Sequence, residues 1–282
     1  MALVRRLIDA MGEAEALETP AGRVGQVVRP LTDPRPVKNA LSGGWLGHRL
    51  HPMLTDVVLG TWLSAGVLDL LGGREGRPGA DLLLGAGVAS AVPTAASGLS
   101  DYADLYDHGR RVAFVHGVGT NVATVLQVAS LLARRRGRRG LGVALSLGAL
   151  GTVGAASYLG GHLSYVLGVG VDHTAFEEGP KEWVRVGVVD EFGSRPRVVR
   201  AGEHEVLLTR VDGRLVGLAN RCSHAGWPIA DGPVDDGCIT CPHHGSVFRL
   251  ADGSVVRGPA ASPQLRYEVR VRDGVVEVRG SR

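Results

Sequence analysis

The chain of 282 residues has a formal net charge of only +3, with 44% hydrophobic residues and glycine at 42 positions. This length accommodates about two domains of ordinary size. The weak net charge and the lack of a nucleic-acid-binding motif exclude a nucleic-acid partner, and three cysteines are too few for a disulfide framework.

Residues 1–44 are predicted to form an N-terminal tail and tether. Arg5 and Arg6 are followed by an amphipathic stretch rather than by a continuous apolar core, so no signal peptide is predicted. Three prolines between residues 23 and 39 favour a tether that leads to the first buried segment.

Four apolar segments come next, and each is close to the roughly 20 residues that cross a bilayer as a helix. They lie at 53–72, 82–99, 112–133 and 141–169. The alternative is a soluble bundle, but it requires polar residues at helical spacing, and the run LLLGAGVA at 82–89 has none. We therefore predict a multidomain protein whose first part is an all-α four-helix transmembrane bundle at residues 45–175, embedded in the lipid bilayer.

The predicted bundle contains a weak internal repeat. HPMLTD at 51–56 is echoed by HGVGTN at 116–121, and AASGL at 95–99 is echoed by AASYL at 155–159. These matches indicate either chance or a duplicated helical hairpin with an approximate two-fold axis. HPML at 51–54, GHLSY at 161–165 and GVGV at 168–171 resemble a bacterial membrane family, domain of unknown function 2231, over residues 45–175. That resemblance implies no particular chemistry.

The chain after Pro180 has the pattern of an all-β domain, predicted at 181–282. Short valine-rich runs alternate with turns, and Asp-Gly pairs begin at 212, 231, 236, 252 and 273. Asp-Gly between alternating apolar runs is the strongest short signal for a β-hairpin. The pairs at 212 and 273 each predict one hairpin.

Two short loops of this domain each supply one thiol and one imidazole. They contain Cys222 with His224 and Cys241 with His244, and sixteen residues separate His224 from Cys241. A [2Fe-2S] cluster whose two irons have unlike ligands, cysteine on one and histidine on the other, requires such mixed loops. A tetrahedral zinc site of two cysteines and two histidines is the alternative.

These loops, with Pro242 and Gly245 beside the second pair, resemble the Rieske [2Fe-2S] domain of the ferredoxin type. The resemblance implies that the two cysteines bind the buried iron, that the two histidines bind the exposed iron, and that His243 is not a ligand. Rieske domains of the cytochrome bc type have a disulfide between the loops. Trp227 and His243 occupy those positions here, so this bridge cannot form.

The resemblance implies single-electron transfer at a membrane surface. The residues after His244 are needed to close the β-fold, which leaves no room for the mononuclear-iron site of a Rieske oxygenase. We therefore predict an electron-transfer protein, an oxidoreductase component that exchanges electrons with a redox protein or quinol. The alternatives are a quinol-oxidising or haem-linked subunit that uses the bundle, and a redox sensor or anchor without turnover.

The arginine distribution predicts the orientation in the cell membrane. Five arginines lie within 134–139, and Arg74 and Arg77 belong to the same end of the predicted bundle. Because short loops rich in Lys and Arg stay on the cytoplasmic side, this end is predicted to be cytoplasmic. The Rieske-like domain follows the fourth span and is therefore predicted on the extracytoplasmic face.

Histidines within or beside lipid are candidates for a second functional site. Those near the predicted extracytoplasmic side are His48, His51, His108, His116 and His162. One hypothesis is a haem b bound by two histidines, most simply drawn from His51, His116 and His162. Another is a quinone beside a histidine, with Asp56 or Asn121 handling the proton. The alternative is that these histidines bond only to carbonyl groups or interfacial water.

Overall fold

The computed structural model describes residues 2–281 and divides the chain into two compact units. The helical unit contains the chain up to Pro34 together with Leu50–Val169. The β-rich unit contains Arg35–Arg49 and the chain from Gly170 onward. The predicted fold class, a four-helix bundle followed by an all-β domain, is confirmed.

Seven α-helices occur within residues 2–281. They are α1 (Ala2–Glu13), α2 (Glu18–Thr32), α3 (Arg35–Ser42), α4 (Leu50–Leu71), α5 (Arg77–Tyr102), α6 (Asp107–Arg135) and α7 (Arg139–Tyr165). Helices α4 to α7 correspond to the four predicted spans, and each is long and apolar enough to cross a membrane.

Apolar side chains on the outside of the bundle distinguish it from a soluble one. Leu82, Val92 and Val125 are 73%, 71% and 67% exposed. Such a surface is unfavourable in water, whereas lipid tails are as apolar as these side chains. Inside the bundle, small residues allow close packing: a Cβ added to Gly87 would lie 2.3 Å from Nε1 of Trp62.

The N-terminal residues are folded against one end of the bundle. Ile8 of α1 is buried in an apolar cluster with Tyr102 and Leu163. Glu18 of α2 forms an ion pair with Arg111 of α6, with 2.8 Å between Oε2 and Nη1. Helices α1 and α2 thus cover the end of the bundle at which α5 ends and α6 begins.

A buried ion-pair network holds the opposite end of the bundle together. Arg134 pairs with Asp69 and, at 2.9 Å, with Asp81, and Arg139 contacts the same two carboxylates. The side chains of Arg134 and Asp69 are only 2% and 1% exposed. The network joins all four long helices. The positive-inside rule counts lysines and arginines and depends little on nearby acidic residues. The ion pairs with Asp69 and Asp81 therefore leave the predicted orientation unchanged.

Within the described residues, ten β-strands form two antiparallel sheets. They are β1 (Val184–Val188), β2 (Arg197–Ala201), β3 (His204–Val211), β4 (Arg214–Ala219), β5 (Val234–Asp235), β6 (Cys238–Thr240), β7 (Val247–Arg249), β8 (Val255–Arg257), β9 (Arg266–Arg272) and β10 (Val275–Gly280). The larger sheet has the order β1-β10-β9-β4-β3-β2, and the smaller has the order β5-β6-β7-β8.

Both predicted hairpins are confirmed. Asp212 and Gly213 join β3 to β4 with φ values of 48° and 77°, and Asp273 and Gly274 join β9 to β10 with 51° and 75°. Two consecutive positive φ values are the geometry of a type I′ turn, which matches the twist of the flanking strands and favours Asp-Gly.

The segment predicted as a tether is helical, and its last helix, α3, belongs to the β-rich unit. Asn39 donates from Nδ2 to the carbonyl of Val256 (3.0 Å) and accepts at Oδ1 from the N–H of Gly258 (3.0 Å). Pro36 is the second residue of α3. A proline is compatible with a helix in the first turn, because its missing N–H has no partner there.

Candidate metal centre

The two loops that contain the predicted ligands have the same turn. In the loop after β4, the N–H of Gly226 donates to the carbonyl of Cys222 (2.8 Å), and in the loop after β6, Gly245 donates to Cys241 (3.0 Å). Each cysteine N–H donates to the carbonyl five residues later, at 2.8 and 2.7 Å. The two glycines have φ values of +75° and +72°, which favour glycine. The two cysteines are therefore presented by equivalent turns.

The four predicted ligands come together as two pairs. Cys222 and Cys241 are each 1% exposed and hydrogen-bond to one another. The rings of His224 and His244 lie edge to face, with centroids 4.8 Å apart. One pair therefore offers two sulfur donors and the other offers two imidazoles.

A hydrogen bond couples the two thiols. Their mutual hydrogen bond lowers the pKa of Cys241 to about 6, and the same bond, with burial, raises the pKa of Cys222. Of the two thiolates, that of Cys241 is therefore the more readily formed. Thiolates are the form that binds metal.

The surroundings of the imidazoles fit a bound metal. The Nδ1 atom of His224 is buried and has no hydrogen-bond partner among the described residues, and Nδ1 of His244 is buried as well. A buried nitrogen without a partner is costly unless a ligand satisfies it. Burial also lowers the pKa of His224 well below its usual range, which favours the neutral imidazole that coordinates iron.

The division into pairs favours the diiron cluster over zinc. A structural zinc ion needs four donors around one point. Within residues 2–281, no group of three or more His, Cys, Asp or Glu side chains is arranged to hold a single ion. Two sulfur donors for one iron and two imidazoles for the other match the mixed ligation of a Rieske cluster.

Gln264 supports the first loop, and the sequence analysis missed it. Its Oε1 accepts from the N–H of Ser223 (2.9 Å), and its Nε2 donates to the carbonyls of Ala219 (2.7 Å) and Arg221 (2.5 Å). The side chain is buried. It fixes the backbone on both sides of Cys222, and no local sequence signal identifies it.

Trp227 and His243 stack on each other between the two loops. Their ring centroids are 4.5 Å apart and the interplanar angle is 24°. These are the positions at which the resemblance to cytochrome bc-type domains would place a disulfide. An exposed aromatic contact therefore joins the loops in place of a covalent bridge. Cys238, predicted to be a buried thiol, is half-buried in β6.

A cavity of about 180 Å³ adjoins His224 and includes His48, Arg49 and Asp172 in its lining. Arg49 is only 8% exposed, and Lys38 of α3 is 1% exposed. After burial, the positive charge of Arg49 is the largest influence lowering the pKa of His224, and Lys38 acts in the same direction. Two buried cations therefore lie close to the imidazole pair.

Of the other candidate residues, His51, His116 and Asn121 line one cavity between the four long helices. Outside that lining are the remaining candidates Asp56, His108 and His162.

Twin loops with a thiol pair and an imidazole pair, set among two antiparallel sheets, characterise Rieske iron–sulfur domains. The family model described as Rieske [2Fe-2S] domain matches residues 182–272, and the one described as Predicted membrane protein (DUF2231) matches residues 47–173. The chain belongs to the Rieske family, with this membrane domain ahead of the cluster domain. It is a ferredoxin-type electron carrier with a membrane-spanning domain, and its cofactor is a [2Fe-2S] cluster.

Relatives include a ferredoxin subunit and an iron-sulfur subunit. The chain is 33% identical over 98 residues to the anthranilate 1,2-dioxygenase ferredoxin subunit of Burkholderia cepacia, covering 34% of this chain and 91% of that protein. It is 42% identical over 78 residues to cytochrome b6-f complex iron-sulfur subunit 2 of Nostoc sp., covering 27% and 43%. The solved ferredoxin of carbazole 1,9a-dioxygenase from Nocardioides aromaticivorans matches at 25% identity and a TM-score of 0.34, over 36% of this chain and 100% of that one.

Proposed function

We propose that the protein carries single electrons at the membrane surface through a cluster bound by Cys222, Cys241, His224 and His244. The observation that carries this proposal is the division of four buried donors into a thiol pair and an imidazole pair on equivalent turns. The bound cluster supplies reversible one-electron chemistry. The thiolates bind one iron, and the imidazoles bind the other.

A relative named as a ferredoxin subunit supports electron transfer rather than the transformation of an organic substrate. The residues after His244 form β7 to β10, which complete the two sheets. No side chain is required as an acid, base or nucleophile in this function. Of the alternatives, the haem-linked subunit has support from side chains in the bundle, namely the pair His51 and His116.

We infer that a redox protein contacts the domain beside the imidazole pair. Trp227 is 51% exposed, and it stacks on the exposed His243, the residue before the proposed ligand His244. This stack is a surface through which a partner can approach the imidazole-bound iron. Relatives named as subunits of a dioxygenase and of the cytochrome b6-f complex support a protein partner.

Single substitutions in the full-length protein test the ligand set. C222S, C241S, H224A and H244A should each abolish the cluster, measured as iron and acid-labile sulfide per chain and as the EPR signal of the reduced protein. The matched controls C238S and H243A should retain it. Retention of a full cluster in C222S, or its loss in C238S, would contradict the proposed ligands.

The extracytoplasmic position of the cluster domain is also a proposal, supported by the arginines at 134–139. Alkaline phosphatase fused after residue 282 should be active, because this enzyme folds only outside the cytoplasm. The same reporter inserted at Gly137, between α6 and α7, should be inactive. The reverse pattern would place the cluster in the cytoplasm.

A further inference from the structure

The helical unit contains a cavity that the electron-carrier function does not use. It has a volume of about 90 Å³ and is lined by residues of α4, α5, α6 and α7. His51 enters its lining from α4 and His116 from α6, together with the polar side chains of Thr55, Thr120 and Asn121. Polar and ionisable residues at lipid depth are costly, and they usually serve a function.

Both histidines are held in the same way. Nδ1 of His51 lies 3.0 Å from the carbonyl oxygen of Thr94 on α5, and Nδ1 of His116 lies 2.7 Å from the carbonyl oxygen of Ala156 on α7. A carbonyl oxygen only accepts, so Nδ1 carries the proton in each ring. In the neutral imidazole, Nε2 then has a free lone pair. A backbone carbonyl bound to the second ring nitrogen is the usual support of a metal-binding histidine.

Each imidazole also sits against a glycine of the neighbouring helix. A Cβ added to Gly98 would lie 2.7 Å from Cε1 of His51, and one added to Gly160 would lie 3.1 Å from Cε1 of His116. Each glycine is four residues after the carbonyl that accepts from the histidine. In each helical hairpin, the histidine therefore bonds to a carbonyl of the neighbouring helix and packs on the glycine four residues after it. This common arrangement supports a duplicated hairpin.

A purely structural role accounts for only part of this arrangement. One carbonyl bond would satisfy a buried histidine that merely joins two helices, whereas here two such rings border one cavity. Trp62 borders it too, and its buried Nε1–H has no hydrogen-bond partner among the residues described. The cavity has room for an ion and a few water molecules, at about 30 Å³ for each water.

We propose that His51 and His116 bind one transition-metal centre between them through Nε2. Imidazole is a good ligand for iron, copper, zinc and nickel. No third His, Cys, Asp or Glu joins them in the described part of the chain. The other coordination positions are therefore filled from outside the protein. Water fills them around a bare ion in a cavity of this volume, and a haem fills them with its four nitrogens only where the helices separate to enlarge the cavity. This centre is separate from the cluster and does not depend on the cluster's ligands.

The test uses full-length protein that carries its cluster, purified in detergent and titrated with haemin or with Co²⁺. Both probes respond to imidazole ligation optically, haemin in the Soret region and Co²⁺ in its visible bands. One equivalent of one probe should bind per chain. H51A and H116A should each weaken that binding by at least the 10–100-fold typical of a disturbed metal site. H162A, a histidine outside the cavity, should bind as the wild type does.

A steric pair of variants separates the site from general damage to the bundle. G98A should displace the ring of His51 and weaken binding roughly 10–100-fold. G85A lies on the same helix with nothing within 4 Å of its new Cβ, so it should bind normally. Helix content and the EPR signal of the cluster should be unchanged in all variants.

Three results would overturn the proposal: neither probe binds to the wild type, binding survives in the double variant H51A/H116A, or H162A and G85A lose binding as strongly as H51A. A cavity that binds only a quinone analogue would also overturn it. Haemin binding in preference to Co²⁺ would identify the centre as haem, and the reverse would identify it as a bare ion.

Discussion

At the scale of single residues, the sequence identifies the candidate ligands but not their surroundings. Cys222 and His224 are two residues apart, so their relationship is visible in the sequence. Gln264 accepts a hydrogen bond from the N–H of Ser223, which is 41 residues earlier in the chain. Its support of the first loop therefore becomes visible only in the folded structure. The same applies to Lys38 and Arg49, which precede the first of the four long helices.

Lys38 should raise the reduction potential of the cluster. It is one of two lysines in the chain and is 1% exposed, close enough to influence His224. A buried positive charge stabilises the more negative reduced cluster. K38M should therefore lower the equilibrium constant for reduction by roughly tenfold, which is about 59 mV for a one-electron couple. Potentiometric titration followed by EPR measures the shift.

The exposed Lys181 provides the matched control, and K181M should leave the potential unchanged because water screens a surface charge. Equal potentials for K38M and the wild type, at equal iron content, would contradict the electrostatic role of Lys38.

At the scale of secondary-structure elements, local signals predicted the turns and spans but not the N-terminal helices. Asp-Gly at 212 and 273 determines its hairpins through backbone conformation alone. The prolines before residue 40 favour a tether, whereas this stretch is mostly helical in the structure. Pro36 lies in the first turn of α3, where proline is tolerated, and α3 is held by Asn39 contacts more than 200 residues away in sequence.

Each of the two candidate ligand turns has a glycine at the same position, and this glycine should contribute to the stability of the folded protein. Gly245 has φ of +72°, and a Cβ there would lie 3.0 Å from Nη1 of Arg257. The left-handed conformation costs a non-glycine residue roughly 1–2 kcal/mol. G245A should lower the free energy of unfolding by about that amount and speed the loss of iron. G193A, where a Cβ meets nothing within 4 Å, should leave both unchanged; equal effects of the two variants would contradict this role.

The ion-pair network should stabilise the four long helices as one element. Asp69 is 1% exposed and pairs with the buried Arg134. Removing one partner of a buried pair typically costs about 3–5 kcal/mol, and the remaining Asp81 reduces that cost here. D69N should therefore lower the unfolding temperature in detergent clearly, whereas D56N, at an exposed position of α4, should not. Matching melting curves would show that the network contributes little.

At the scale of the whole molecule, the sequence patterns predict one unit that suits the lipid bilayer and a second unit that suits water. Outward apolar side chains such as Leu82 and Val92 suit lipid, and the two antiparallel sheets form the unit that contains the candidate ligand loops. What composition could not predict is that 35–49, ahead of the first span, belongs to the β-rich unit. The side chain of Asn39 donates to a carbonyl within β8 and accepts from the N–H of the residue that follows β8. No periodic sequence pattern indicates these contacts.

Pulsed EPR of the reduced full-length protein, labelled with ¹⁵N-histidine, tests directly whether His224 and His244 bind one iron of the cluster. We predict two strongly coupled histidine nitrogens on one iron in the wild type, and no cluster signal when either His224 or His244 is replaced by alanine. Two irons and two sulfides should be present per chain. A spectrum without histidine coupling, or a protein that contains one zinc and neither iron nor sulfide, would contradict this prediction.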